Sequence, residues 1–163
     1  MFARTRRLTL RPGWPEDAAA LAAAIGHDAA ASLGIGESAC GVALLIYAHE
    51  GGAPRLIGSI GLTPQDDAHE LVFRLAPGAW GRGYATEAAG AVVEMARHAL
   101  PIRRLFATCV RDDAATARVL RKLGFRDAGR REVTLPRASG GTAGSVVMEL
   151  DVDCRRPAMP IAA

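Results

Sequence analysis

The stretch WGRGYATEA, Trp80 to Ala88, limits what this chain can fold into more than any other. It joins a strand-like run, HELVFRLAP, closed by Pro77, to the clearest helical pattern in the sequence. From Gly83 to Leu100 that pattern puts Ala85, Ala88, Ala89, Val92, Ala96, Ala99 and Leu100 on one apolar face. The face is mostly alanine, so the helix backbone can lie close against a sheet. Strand, glycine turn and helix together suit an anion. Gly81 and Gly83 let the backbone approach a ligand, and the helix N-terminus adds partial positive charge worth roughly 0.3–1 kcal/mol per interaction. Thr86 adds a hydroxyl donor and Arg82 a mobile charge. The same letters also suit an ordinary tight turn. Two familiar phosphate loops fail: no lysine follows the second glycine, as a Walker A loop requires, and GRGYAT has Thr86 where a dinucleotide fingerprint has its third glycine.

Around this centre, Thr5–Arg11 reads as a first strand, followed by a helix opened by Pro15 and ended by Gly26. Residues Ala29–Ser38 read as a short helix or a loop. Strands follow at about Gly41–His49 and Arg55–Thr63, joined by EGGAP, and the fourth is HELVFRLAP. RRLFATCV is a fifth strand. DDAATARVLRKLG is a helix capped by Asp112 or Asp113 and ended by Gly124. FRDAGRREVTL and SVVMELDV form a last pair around the loop Arg137–Ser145. The reading is one α/β domain over residues 1–152, with 153–163 a frayed tail.

Composition narrows the partners. The net charge is +3 and the arginines are scattered, so nothing demands a nucleic-acid surface, and an anionic small ligand suits the mild excess. Three cysteines, Cys40, Cys109 and Cys154, have no CxxC spacing, which argues for a reducing compartment. The four histidines show no metal-ligand spacing, so no metal is expected. No secretory h-region follows the start, and the longest apolar run, VALLIYA, is too short to span a bilayer. A cytoplasmic location away from membranes is expected. Homodimer formation is left open.

HELVFRLAPGAWGRGYATEAAGAVVEMA, with RRLFATCVRDDAATARVLRKLGFRDAGR after it, resembles the core of the GNAT superfamily of acetyl-CoA-dependent N-acetyltransferases, most of all its RimJ/RimL branch. ELVFRL, WGRGYATEA and DAATARVLRKLGF match the branch's linked motifs in order and spacing, within a likeness running from about Arg7 to about Asp151. The resemblance implies a mixed, mostly antiparallel sheet of about six to seven strands flanked by about four helices. It implies acetyl-CoA as cosubstrate, with coenzyme A pyrophosphate gripped by the backbone of Gly81, Arg82, Gly83, Tyr84, Ala85 and Thr86 behind Trp80. Phe73, Arg74 and Leu75 would pair with the pantetheine arm like an added strand. Arg118 or Lys122 would reach a phosphate at the adenine-ribose end. Where the branch has Asn-x-x-Ser, this chain has Asp113 and Thr116. Thr116 keeps a hydroxyl for the coenzyme sulfur, whereas Asp113 cannot donate as an amide would. Both residues also suit plain helix capping. No Tyr follows Phe125, where many relatives outside the branch carry an acid.

Acetyl transfer needs a neutral amine on the thioester carbonyl and a route for its proton. An α-amine, titrating near 7.7–8.0, is roughly one tenth neutral at pH 7, whereas a lysine, near 10.4, is under about one thousandth neutral. Glu70 matches the acid that many relatives carry and is the base candidate. Glu132 is a second. Glu87 reads as structural, Tyr84 as shaping the turn, Tyr47 as a core residue or a liner of the acceptor side, and Cys109 as a small buried hydrophobe. The acceptor is expected to be a protein N-terminal amine or a small-molecule amine. The rival readings are a non-catalytic acyl-CoA-binding module on the same scaffold and a basic RNA- or ribosome-associated protein.

Overall fold

A computed structural model describes residues 2–27, 41–110, 113–134 and 142–152, with the backbone alone at 131–134, 142 and 143. The segment Ala29–Ser38, most of the Arg137–Ser145 loop, Asp112, Cys40 and the tail from 153 lie outside the described residues.

The strands are β1 (Ala3–Arg4), β2 (Leu8–Pro12), β3 (Val42–Ala48), β4 (Arg55–Gln65), β5 (Ala68–Leu75), β6 (Arg104–Val110), β7 (Arg126–Thr134) and β8 (Thr142–Asp151). The helices are α1 (Ala18–Ile25), α2 (Tyr84–Ala99) and α3 (Ala114–Lys122), with 3-10 turns at Pro15–Asp17 and Pro77–Ala79. The strands form one sheet in the order β1-β2-β3-β4-β5-β6-β8-β7, and every neighbouring pair is antiparallel except β5 and β6. The sheet thus holds eight strands against the six to seven expected. The described residues hold three α-helices where four were expected. The two-residue β1 is too short to carry a periodic signal.

Local sequence explains the hairpins. Gly51 and Gly52, with φ of 93° and 115°, turn β3 into β4, and Asp66, at φ 48°, turns β4 into β5. Aspartate tolerates that region better than most side chains.

Burial alternates along β6, with Leu105, Ala107 and Cys109 buried. They join the main core with Leu8, Leu10, Leu44, Ile46, Ile60 and Leu71, under Tyr84, Ala88, Ala89, Val92, Val93 and Ala96 of α2. The buried face of α2 is rotated slightly from the expected one: Tyr84 and Val93 are inside, and Ala99 is exposed. α3 packs on α2 and β6. Leu45 alternates to the opposite face, and α1, carrying the fully buried Leu21, packs against β4 and β5.

One irregularity of the sheet shapes everything near the glycine turn. The parallel ladder between β5 and β6 holds only His69↔Leu105 and Glu70↔Phe106, although β5 runs on to Leu75 and β6 to Val110. Beyond those two rungs the strands diverge into a wedge. The open end of β5 leads directly to the glycine turn and α2, and the open end of β6 leads to the start of α3.

Candidate active site

Two left-handed glycines frame the turn at the wedge mouth: Gly81 at φ 72° and Gly83 at φ 78°. A Cβ at Gly81 would meet nothing within 4 Å, and one at Gly83 would meet only Arg7 Nη2 at 3.5 Å. Glycine is needed here for the sign of φ, not to relieve crowding within the protein. Gly83 is the N-cap of α2 and supplies no capping side chain. The first helical bond runs from Glu87 N–H to the Gly83 carbonyl at 3.1 Å. The amides of Tyr84, Ala85 and Thr86 therefore lack intrahelical acceptors, and the helix dipole adds to their positive end. Trp80 stands 65% exposed at the entrance, its indole N–H donating to the Leu75 carbonyl at 2.9 Å. That bond ties the turn to the end of β5.

The turn is held from behind by residues far away in sequence. The Glu87 carboxylate accepts from Thr5 Oγ1 at 2.5 Å, from the Arg7 backbone N–H at 2.9 Å and from Arg7 Nε at 2.7 Å. Arg7 Nη1 also donates to the Arg82 carbonyl at 3.0 Å, and the guanidinium lies 4.8 Å over the Tyr84 ring. The Tyr84 hydroxyl donates to Glu50, whose other oxygen is 3.8 Å from Arg7 Nη1. Burial pushes the Glu87 carboxyl up, but the bonds from Thr5 and Arg7 outweigh it and hold the group below the usual range. The hydrogen bond to Glu87 raises Arg7 in turn. The Tyr84 side chain is buried, so only its backbone N–H is left for the turn.

Glu70 sits on the last ladder rung, where the wedge closes, half-buried and paired with Phe106. Phe73 and Leu75 pack against the main core, while Arg74 is exposed. All three pair with β4 on one side, and none has a β6 ladder partner among the described residues. At the mouth of β6, Asp113 caps α3: its carboxylate accepts from the Thr116 N–H at 2.9 Å and from the Thr116 hydroxyl at 2.6 Å. Arg118 and Lys122 are exposed on α3, with no ion pair among the described residues. Beyond the closed end of the wedge, a concave pocket is lined by Asp67, Arg104, Phe106, Arg130 and Glu149 among others. In it Arg104 grips Asp67 through two bonds of 2.7 and 2.8 Å.

Several other candidates are placed as well. Cys109 is buried in the core, which pushes its thiol up. Tyr47 receives Arg11 Nη2 on its hydroxyl at 2.6 Å and carries the guanidinium over its ring at 4.8 Å. The Glu132 backbone pairs with Gly144 in the outermost strand, and its side chain lies outside the described residues. No group of three or more His, Cys, Asp or Glu that could hold a metal occurs among the described residues, nor does any helix long and apolar enough to cross a membrane. Sequence reading missed Thr5, Arg7 and Glu50. The available hint was an acid, Glu87, in a helix turn whose glycines and free amides suit an anion, which calls for a cation that no neighbour in the helix supplies.

A mixed sheet splayed at one parallel pair, with an uncapped helix start at its mouth, makes an α/β fold whose glycine turn suits an anionic ligand. A family model described as an acetyltransferase (GNAT) domain matches residues 7–126, and the chain belongs to that family. Solved structures share the fold across nearly their full lengths. The GNAT-family acetyltransferase from Bacillus anthracis has a TM-score of 0.72 and 19% identity, covering 93% of this chain and 99% of that one. The ribosomal-protein-S5-alanine acetyltransferase from Vibrio fischeri has a TM-score of 0.74 and 14% identity, covering 96% and 100%. RimL, a ribosomal L7/L12 α-N-protein acetyltransferase in complex with coenzyme A, has a TM-score of 0.77 and 14% identity, covering 94% and 99%. No curated protein matches the sequence.

Proposed function

We propose that this chain transfers an acetyl group from acetyl-CoA directly to an amine, a protein N-terminus or a small molecule, as in the RimJ/RimL branch. The observation that carries the reading is the wedge opening onto the paired left-handed glycines Gly81 and Gly83. The residues suit the coenzyme. Amides from Gly81 to Thr86 would hold the pyrophosphate. The β6-facing edge of Phe73, Arg74 and Leu75 would take the amide-bearing pantetheine arm as a short added strand, and Arg118 or Lys122 would meet a phosphate beside α3. That arrangement puts the thioester toward the closed end of the wedge, where Glu70 stands to accept the amine proton, directly or through water. The pocket beyond, which shares Phe106 with Glu70's rung, offers the acceptor its place.

One observation favours the rival reading of a non-catalytic acyl-CoA binder. The single hydroxyl proton of Thr116 is committed to Asp113, so Thr116 would donate to the coenzyme sulfur only by giving up that bond. Calorimetric titration with acetyl-CoA, against ATP and NAD as controls, tests the cradle. A free-thiol assay across peptide α-amines and small amines then tests transfer. Binding without thiol release on any amine selects the rival, and absence of binding overturns both.

A further inference from the structure

We infer that Arg7 is a positioning residue for the glycine turn, setting the direction of its amides and offsetting the Glu87 carboxylate in the first turn of α2. The inference rests on the coenzyme reading for its purpose, and on geometry for its mechanism. A single guanidinium touches the turn at three points around Gly83: the Arg82 carbonyl at 3.0 Å, the Tyr84 ring at 4.8 Å and Glu87 at 2.7 Å. In a planar trans peptide the carbonyl and the next N–H point in opposite directions. With the Arg82 carbonyl drawn toward Arg7, the Gly83 N–H is turned away from Arg7, on the side where an anion would approach. That peptide flips by a change of ψ at Arg82 and of φ at Gly83, and Gly83 lacks the Cβ that penalises the alternatives. Arg7 removes that freedom.

The second contribution is charge. Glu87 lies in the first turn of α2, where an acid favours the empty helix dipole but opposes an incoming dianion. Arg7 pairs with it across 80 residues of sequence, while also standing 3.8 Å from the Glu50 carboxylate. The planar fork matters here, because Nε serves Glu87 while Nη1 serves the Arg82 carbonyl. A lysine ammonium brings the charge without reaching both in fixed geometry.

The test uses the full chain with Arg7→Met, Arg7→Lys and the double variant Arg7→Met/Glu87→Gln, and coenzyme A as the probe. Amide hydrogen exchange at position 87, whose N–H bonds the Gly83 carbonyl and closes the turn, measured without ligand, should quicken about tenfold in Arg7→Met and in Arg7→Lys, in keeping with loss of a charge-assisted bond. The dissociation constant for coenzyme A should rise about tenfold in Arg7→Met and less in Arg7→Lys, which keeps the charge. Glu87→Gln in the Arg7→Met background should recover several-fold of that affinity while exchange stays fast, which a merely structural role would not produce. If Arg7→Met does not fold, Arg7→Lys carries the exchange arm. Unchanged exchange at the turn overturns the inference, and failure of Glu87→Gln to restore affinity overturns its electrostatic half. If the unaltered protein fails to bind coenzyme A while turn exchange still responds to Arg7, the clamp stands and the coenzyme reading falls.

Discussion

Replacing Gly83 by alanine isolates what the turn requires of its backbone. At φ 78° an L-residue with a Cβ costs about 1–2 kcal/mol. The new methyl would meet only Arg7 Nη2, at 3.5 Å, an ordinary contact that adds no clash. The strain can surface in two ways. If the turn keeps its shape, the protein loses that stability, and a domain of this size melts roughly 2–8 °C lower, still well within the 5–15 kcal/mol typical of folded domains. If the turn relaxes instead, melting barely changes, but the coenzyme must restore the left-handed form as it binds. Its dissociation constant then rises roughly 5- to 30-fold. Scanning calorimetry with titration of coenzyme A reads both, and the two losses together should total about 1–2 kcal/mol. Gly78 is the control: a Cβ there would meet nothing within 4 Å and its φ is not left-handed, so Gly78→Ala should move neither quantity. A Gly83→Ala protein matching Gly78→Ala in both melting and affinity would refute the requirement for a left-handed turn.

Three other perturbations probe the surroundings. In Gly58→Ala the Cβ would lie 2.1 Å from the Arg74 carbonyl and 3.0 Å from Leu75 Cα, so β5 must shift, costing about 3 kcal/mol. Melting should drop by roughly 6–12 °C, and a shift under about 2 °C would contradict the β4–β5 register. Glu70→Gln should slow turnover most for high-pKa amines and leave coenzyme affinity intact, and equal rates across amines and pH would rule out Glu70 as the base. Among the described residues two carboxyls are depressed in the fold: Asp17, chiefly by the Arg11 hydrogen bonds, and Glu87, where the bonds from Thr5 and Arg7 overcome burial. A depressed acid stabilises the fold above its unfolded pKa, near 4, and that contribution is lost as pH falls through the native value. Melting temperature should therefore fall on acidification below about pH 4, and Asp17→Asn and Glu87→Gln should each flatten that limb. An unaltered acid profile in both variants would sink this account.

Features written in short-range pattern are legible in the letters alone. The glycine turn, the α2 helix, the Asp113 cap and the strand–helix–strand centre all depend on residues within a few positions of one another. Long-range pairing is not. Nothing in the letters of β7 and β8 says that β8 lies inside, between β6 and β7, because alternation describes one strand's faces and not its neighbours. Tyr84 reads with the glycine turn, yet its ring is core, since a residue at a helix start can serve a turn with its backbone and the interior with its side chain. Arg7 is the least legible. It is one of many scattered arginines, and only the fold brings it against Glu87.

The two-rung joint between β5 and β6 also bears on how the molecule is put together. On one side of it, β3, β4 and β5 close by successive hairpins, with β1 and β2 added at the edge. On the other, β6, β7 and β8 form a separate three-stranded unit. The chain crosses once, and α2 makes up most of the crossing, lying on β2, β4 and β5 and meeting α3. An alanine-rich helix thus acts as a splint across a joint with almost no backbone stitching. As the chain leaves the ribosome, the first unit can complete its hairpins before β6 exists. The later unit then docks against the splint, so the jaw between the two halves is the last part of the protein to be made.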